Sequence, residues 1–117
     1  MNLGDIVTVL GLEVLTPELA VEGGPDVLRA HASDLLSDVL ANAPSGGLLL
    51  TIQVHMNVIA VAIHAGLAAV VFTSGMKPDE AARRKAVEEG LPLLSTREST
   101  FDGAGRLYAL GLRGKGA

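Results

Sequence analysis

Leu48-Leu49-Leu50-Thr51-Ile52, Ala69-Val70-Val71-Phe72-Thr73 and Leu91-Pro92-Leu93-Leu94-Ser95-Thr96 are three short apolar runs, separated by two segments of helical character. Thr51, Thr73 and Thr96 lie 22 and 23 residues apart, the length of one strand, one helix and two short loops. The pattern is β-α-β-α-β. Near-continuous apolar strands joined by helices pair in parallel with both sheet faces covered, because a parallel crossover needs a helix and that helix packs back on the sheet. The fold class expected is therefore α/β, with three layers and a mainly parallel sheet between helices on both faces. Each run ends in small polar residues, and these ends converge on the carboxyl edge, where open α/β sheets bind ligands.

The chain has 117 residues, enough for one domain with a genuine core. Its apolar fraction of 49% is aliphatic, with two Phe, one Tyr and no Trp. A mean hydropathy of +0.42 is high for so small a chain, which suggests apolar surface buried against another chain. A net charge of −4 without a basic stripe argues against nucleic acid binding. The absence of cysteine removes disulfides, Cys-ligated zinc, iron–sulfur clusters and thiol catalysis. There is no charged n-region followed by an h-region, and no apolar run nears the roughly 18 residues of a membrane span. The expectation is a soluble cytoplasmic protein with no membrane partner.

Toward the amino terminus, Asn2 can cap a helix in which Leu3, Ile6, Val7 and Leu10 share a face and Gly11 is the stop, although the β-branched Ile6-Val7-Thr8-Val9 equally suits a strand. Residues 12–15 read as a strand, 17–25 as a loop and 27–32 as extended. Ser33 is the expected N-cap of a helix over 34–43 with Leu35, Leu36, Val39 and Leu40 as its buried stripe. The helix over 57–65 is apolar nearly all round, so it is expected to be buried on every side. Another subunit most simply supplies the second side, which predicts a homo-oligomer, a dimer in the simplest case.

Further on, Lys77-Pro78-Asp79-Glu80 opens a helix with Pro at its first position, and i, i+4 charge pairs line its outer side. Gly90 ends it and Pro92 opens the third strand. Thr96 is the expected cap of a last helix over 97–110 with Phe101, Ala104, Leu107 and Tyr108 as its apolar face. Residues 1–111 then form the single domain, and 112–117 a flexible tail.

Ala32-Ser33-Asp34-Leu35-Leu36-Ser37-Asp38-Val39, then Thr51-Ile52-Gln53-Val54-His55, Gly90-Leu91-Pro92-Leu93-Leu94-Ser95-Thr96 and Arg106-Leu107-Tyr108-Ala109-Leu110-Gly111 together resemble the DRTGG domain family. That family shares its fold with the amino-terminal domain of HPr serine kinase/phosphorylase. The similarity runs over about residues 3–111. One segment departs: Gly24-Pro25-Asp26-Val27-Leu28-Arg29-Ala30-His31 keeps neither the Asp-Arg nor the Thr-Gly-Gly that names the family. The resemblance implies a regulatory or ligand-sensing domain without catalysis of its own, since the kinase activity of the HPr enzymes belongs to a separate P-loop domain.

The residues themselves favour the same outcome. Gly-Lys-Gly at 114–116 has neither the hydroxyl residue nor the following helix of a P-loop. Ser74, His55 and Asp34 could be drawn as a triad, but no Gly-x-Ser-x-Gly elbow is present and no catalytic residue is assigned. His31, Asp34 and Asp38 lack a third firm ligand at proper spacing, so neither metal nor cofactor is expected. His64, on an apolar helix, is more ordinarily a packed histidine than a ligand. Thr73-Ser74-Gly75 and Ser95-Thr96 join strand ends to helix starts, where hydroxyls and free N–H groups hold anions, unless they serve only as caps and turns. Gln53, His55 and Asn57 alternate along a strand exit and could bond an adenine edge, a phosphate or a partner's backbone, unless they are polar for solvation alone. The candidate binding set is Gln53, His55, Asn57, Thr73, Ser74, Gly75, Ser95 and Thr96. The function expected is sensing of a small phosphorylated metabolite or nucleotide, the alternative being a module that docks onto an enzyme or regulator.

Overall fold

The computed structural model describes residues 1–116. The three apolar runs form β3 (Leu48–Thr51), β4 (Ala69–Phe72) and β5 (Leu93–Ser95), every residue of them buried. With β1 (Glu13–Val14) and β2 (Ala30–Ala32) they build one sheet in the order β1-β5-β4-β3-β2. The pairings among β2, β3, β4 and β5 are parallel, and β1 runs antiparallel to β5, with Glu13 opposite Ser95.

Strand parity sorts the core. Leu49, Val70, Phe72 and Leu93 point to a face covered by α2 (Leu36–Asn42), α3 (Met56–His64) and α4 (Glu80–Glu88). Leu48, Leu50, Ala69, Val71 and Leu94 point to the opposite face, under α1 (Leu3–Leu10) and α5 (Thr100–Ala109). The three-layer α/β architecture thus follows from the alternation of side chains along buried strands. Three successive crossovers step the same way across the sheet, which puts α2, α3 and α4 on one side. At Gly103 a Cβ would stand 3.3 Å from Leu50 Cδ2, so the missing side chain lets α5 approach β3 closely.

Element ends follow the capping chemistry, with shifts that have local causes. Asn2 and Asp5 form a reciprocal capping box and Gly11, at φ 64°, closes α1, so local capping prevails over the β-branched content of residues 6–9. Ser33 does not cap α2. Its hydroxyl accepts the Leu35 N–H, while Asp34 turns away to accept from the Thr51 hydroxyl and the Ile52 N–H, both at 2.9 Å, so α2 begins at Leu36. Only Val39 of the expected stripe is fully buried, and Leu35 and Leu40 are exposed, because α2 is an outer helix. α4 begins at Glu80 rather than Pro78, with Asp79 as its cap accepting the Ala82 N–H. Ser99 rather than Thr96 caps α5, Thr96 being engaged with the Glu98 N–H.

Other expectations meet a different arrangement. The largely apolar α3 is the middle of three helices, touching α2 on one side and α4 on the other, and its outward residues Asn57, Ala60 and His64 are exposed. Its flanks thus meet neighbours inside the chain, and its outer side stays open. On α5, Leu107 is buried but Phe101 and Tyr108 lie in solvent, 85% and 61% exposed. Leu112, where a flexible tail was expected, is buried in the α1/α5 core, and Arg113 bonds Leu28 and Ala30 beside β2. Ala117, the last residue of that expected tail, lies outside the described residues. Among the described residues no helix is long and apolar enough to cross a membrane.

Candidate functional site

The parallel winding runs from β2 to β5 without reversal, so no crevice opens between neighbouring parallel strands as it does where strand order switches. The break in pattern comes at β5, whose other neighbour β1 is antiparallel and brings the end of α1 to the carboxyl edge. A cleft of about 580 Å³ lies there, lined by residues 10, 11 and 13, by Gly75 and Lys77 after β4, and by residues 95–98 after β5.

The loops forming it are tied together by backbone bonds. The Ser74 N–H donates to the Glu98 carbonyl at 2.7 Å and the Gly75 N–H to the Thr96 carbonyl at 2.8 Å. Ser74 takes φ 56°, the one non-glycine residue with positive φ among those described, and Gly75 follows at φ 70°. The left-handed conformation costs Ser74 energy that Gly75, lacking a Cβ, does not lose, and such strained residues gather where a binding loop needs a particular shape.

Four ionisable residues line the cleft: Glu13, Lys77, Arg97 and Glu98. Lys77 pairs with Glu13 at 2.8 Å, and Glu98 with Arg106 of α5. The Arg106 guanidinium also donates to the carbonyls of Val9 and Leu10 at the negative end of α1, so it is committed to the fold. Arg97 has no ion-pair partner among the described residues. It leaves the cleft one uncompensated positive charge beside the hydroxyl and backbone groups of residues 95 and 96.

The structure divides the sequence-derived set. Gly75, Ser95 and Thr96 line the cleft, and Ser74 is exposed on the same turn. Ser95 donates its hydroxyl to the Met76 carbonyl at 3.2 Å, and Thr96 accepts the Glu98 N–H at 3.2 Å. Thr73 is buried on the α5 side, its hydroxyl 2.6 Å from that of Thr100. Gln53, His55 and Asn57 are not in the cleft wall. They build the turn into α3, where Gln53 Oε1 accepts the His55 N–H and His55 Nδ1 accepts the Asn57 N–H. The two hydroxyls in the cleft wall and the side chains of Gln53 and His55 therefore serve the fold already, while Asn57 contributes its backbone N–H. Lys77 and Arg97 both read in sequence as parts of helix starts; for Arg97, a basic residue directly after the hydroxyls of Ser95 and Thr96 was the available signal.

No hydrogen bond joins Ser74, His55 and Asp34 among the described residues. His31 Nε2 lies 2.7 Å from Asp38 Oδ2, and no group of three or more His, Asp or Glu among the described residues is placed to hold a metal ion.

A three-layer α/β domain with a charged cleft at the carboxyl edge of its sheet is the class these observations define. The chain belongs to the DRTGG domain family, whose model matches residues 36–110. Its fold is similar to that of the CBS and DRTGG domains of the regulatory region of Clostridium perfringens pyrophosphatase, solved in complex with its activator diadenosine tetraphosphate. The TM-score is 0.69 at 17% identity, over 95% of this chain. This chain spans 47% of that one. No curated protein matches the sequence. The Gly24–His31 segment, which departs from the family name, precedes the matched residues and leads into β2 from the amino edge, away from the cleft.

Proposed function

We propose that this DRTGG domain is a non-catalytic regulatory module that binds a small phosphorylated metabolite or nucleotide in the cleft beside β5. The observation that supports this most is Arg97, a guanidinium without an ion-pair partner among the described residues, in a cleft of about 580 Å³ that it lines with Lys77, Thr96 and Gly75, beside the strained Ser74. A guanidinium presents a planar fork that matches phosphate oxygens, and Lys77 can exchange Glu13 for a ligand of higher charge. Gly75 and Thr96 would flank the phosphate. Thr73 and Ser95 hold the loops in place, and Gln53, His55 and Asn57 fix the neighbouring turn. The likeness to a nucleotide-activated pyrophosphatase's regulatory region puts nucleotides first among ligands to try.

Thermal unfolding against nucleotides and phosphorylated metabolites, with and without magnesium, tests the reading. A ligand at 100 times its dissociation constant adds about 2.7 kcal/mol, a rise on the order of 10 °C for a domain of this size. The rise should vanish in Arg97→Ala. No rise with any compound would remove the sensing role.

A second reading, a module that docks onto an enzyme or regulator without a ligand, is favoured by the apolar side chains that α5 exposes. A ligand-independent partner lost on charging that helix would support it.

A further inference from the structure

The connection from β1 to β2, residues 15–29, has to travel from one edge of the sheet to the other, and both of its ends lie at the amino edge. It crosses there as a strap, and between the strap and the starts of β3, β4 and β5 lies a cavity of about 420 Å³. That volume is in the range of small-molecule pockets. Gly46, Ala68 and Pro92 line it from the strand starts, and Leu3, Val21 and Val27 from α1 and the strap. The strap is anchored where Val27 is buried and its N–H donates to the Met1 carbonyl at 2.8 Å. Residues 20–24, by contrast, make no hydrogen bond among the described residues, and Gly23 takes φ 73°. That stretch can lift without breaking a hydrogen bond, which gives the cavity a way in.

The charge around the cavity is one-sided. Among the described residues, Glu22 and Asp26 are the only ionisable side chains in its wall. Asp26 stands 3.5 Å from the Met1 amino group, whereas Glu22 has no ion-pair or hydrogen-bond partner among the described residues. α3 and α4 both end at this edge, with Ala68 and Gly90 of the wall shortly after their caps, Ala65 and Glu89. The carboxyl ends of helices carry negative potential. The positive end of α1, also at this edge, is already met by the Asn2–Asp5 capping box. We infer that this cavity binds a small organic cation, an amine or amidine whose apolar body lies between Leu3, Val27 and Pro92 and whose charge meets Glu22. A cavity of roughly 150 Å³ admits benzene, so about 420 Å³ holds a fused-ring body with its charged arm. The site lies at the opposite edge of the sheet from the cleft beside β5 and is independent of phosphate binding there. Residues 24–27 of its wall belong to the segment that departs from the family name, so the site does not rest on the family likeness.

Tryptamine is the probe, a fused-ring amine whose indole fluorescence reports binding directly because the sequence has no Trp. The full chain should bind it saturably with a Kd of about 1 mM or tighter. Indole-3-propionate, the same rings with a carboxylate, should bind about tenfold more weakly or worse. Glu22→Gln should weaken tryptamine about fivefold. Ala20→Phe, at an exposed wall position of the strap, should fill the cavity and abolish binding with the fold intact, and Arg97→Ala in the cleft should change nothing. Absence of saturable binding, equal binding of the carboxylate, or binding that survives both Glu22→Gln and Ala20→Phe would overturn the inference. So would a dimer of the chain that Ala20→Phe breaks, since the cavity would then hold a second copy.

Discussion

His31 on β2 and Asp38 on α2 meet at 2.7 Å, tying the edge strand to the helix that covers it. The Asn42 amide, then His31, then the Ser33 hydroxyl hold the Asp38 carboxyl down to about 2 from its ordinary 3.8. A carboxyl depressed in the folded state stabilises it above the unfolded value and loses that contribution as pH falls through the folded one. The expected result is that wild type exceeds Asp38→Asn in urea midpoint at neutral pH, with the gap closing between about pH 4 and pH 2. A gap that persists unchanged at pH 2 would mean that the carboxylate charge is not what matters there.

Thr73 and Thr100 share a hydrogen bond of 2.6 Å that pins the start of α5 over the end of β4. Thr73→Val should cost about 1 kcal/mol, since it leaves the Thr100 hydroxyl without its partner. Thr73→Val with Thr100→Val should cost less than the sum of the two single changes, a coupling measurable by denaturant unfolding. Strict additivity would show the bond to be of no consequence.

Gly47 precedes β3 where a Cβ would stand 2.9 Å from the Pro44 carbonyl oxygen and 3.0 Å from that of Arg29. Both obstacles are backbone, so neither can swing aside. Gly47→Ala should destabilise by about 1–3 kcal/mol, read as a lower denaturant midpoint at unchanged slope. Gly24→Ala, with open space around it, is the control.

The sheet was legible because β3, β4 and β5 are buried on both faces, so burial wrote an apolar residue at nearly every position. Edge elements were harder. Leu35, Leu40, Phe101 and Tyr108 sit at helical spacing, and periodicity cannot tell whether a stripe faces the sheet or looks past its edge. Sequence likewise does not reveal that α2 and α4 flank the apolar α3 within the chain. At the candidate site, the residue types at the strand ends were visible, but which strand ends would open into a cleft depends on β1, two residues long and paired across 82 positions of sequence (Glu13 with Ser95). Arg97 stands out only once the ion pairs of Lys77 and Glu98 are known.

The most direct test of the cleft is an amide NMR titration of the whole chain with ATP as the probe, repeated with Arg97→Ala. Binding in the cleft should give saturable shifts at Gly75, Thr96 and Arg97, little change at Gln53 and Asn57, and loss of the shifts in the variant. Shifts centred on the turn into α3, or none at saturating probe in either protein, would contradict it.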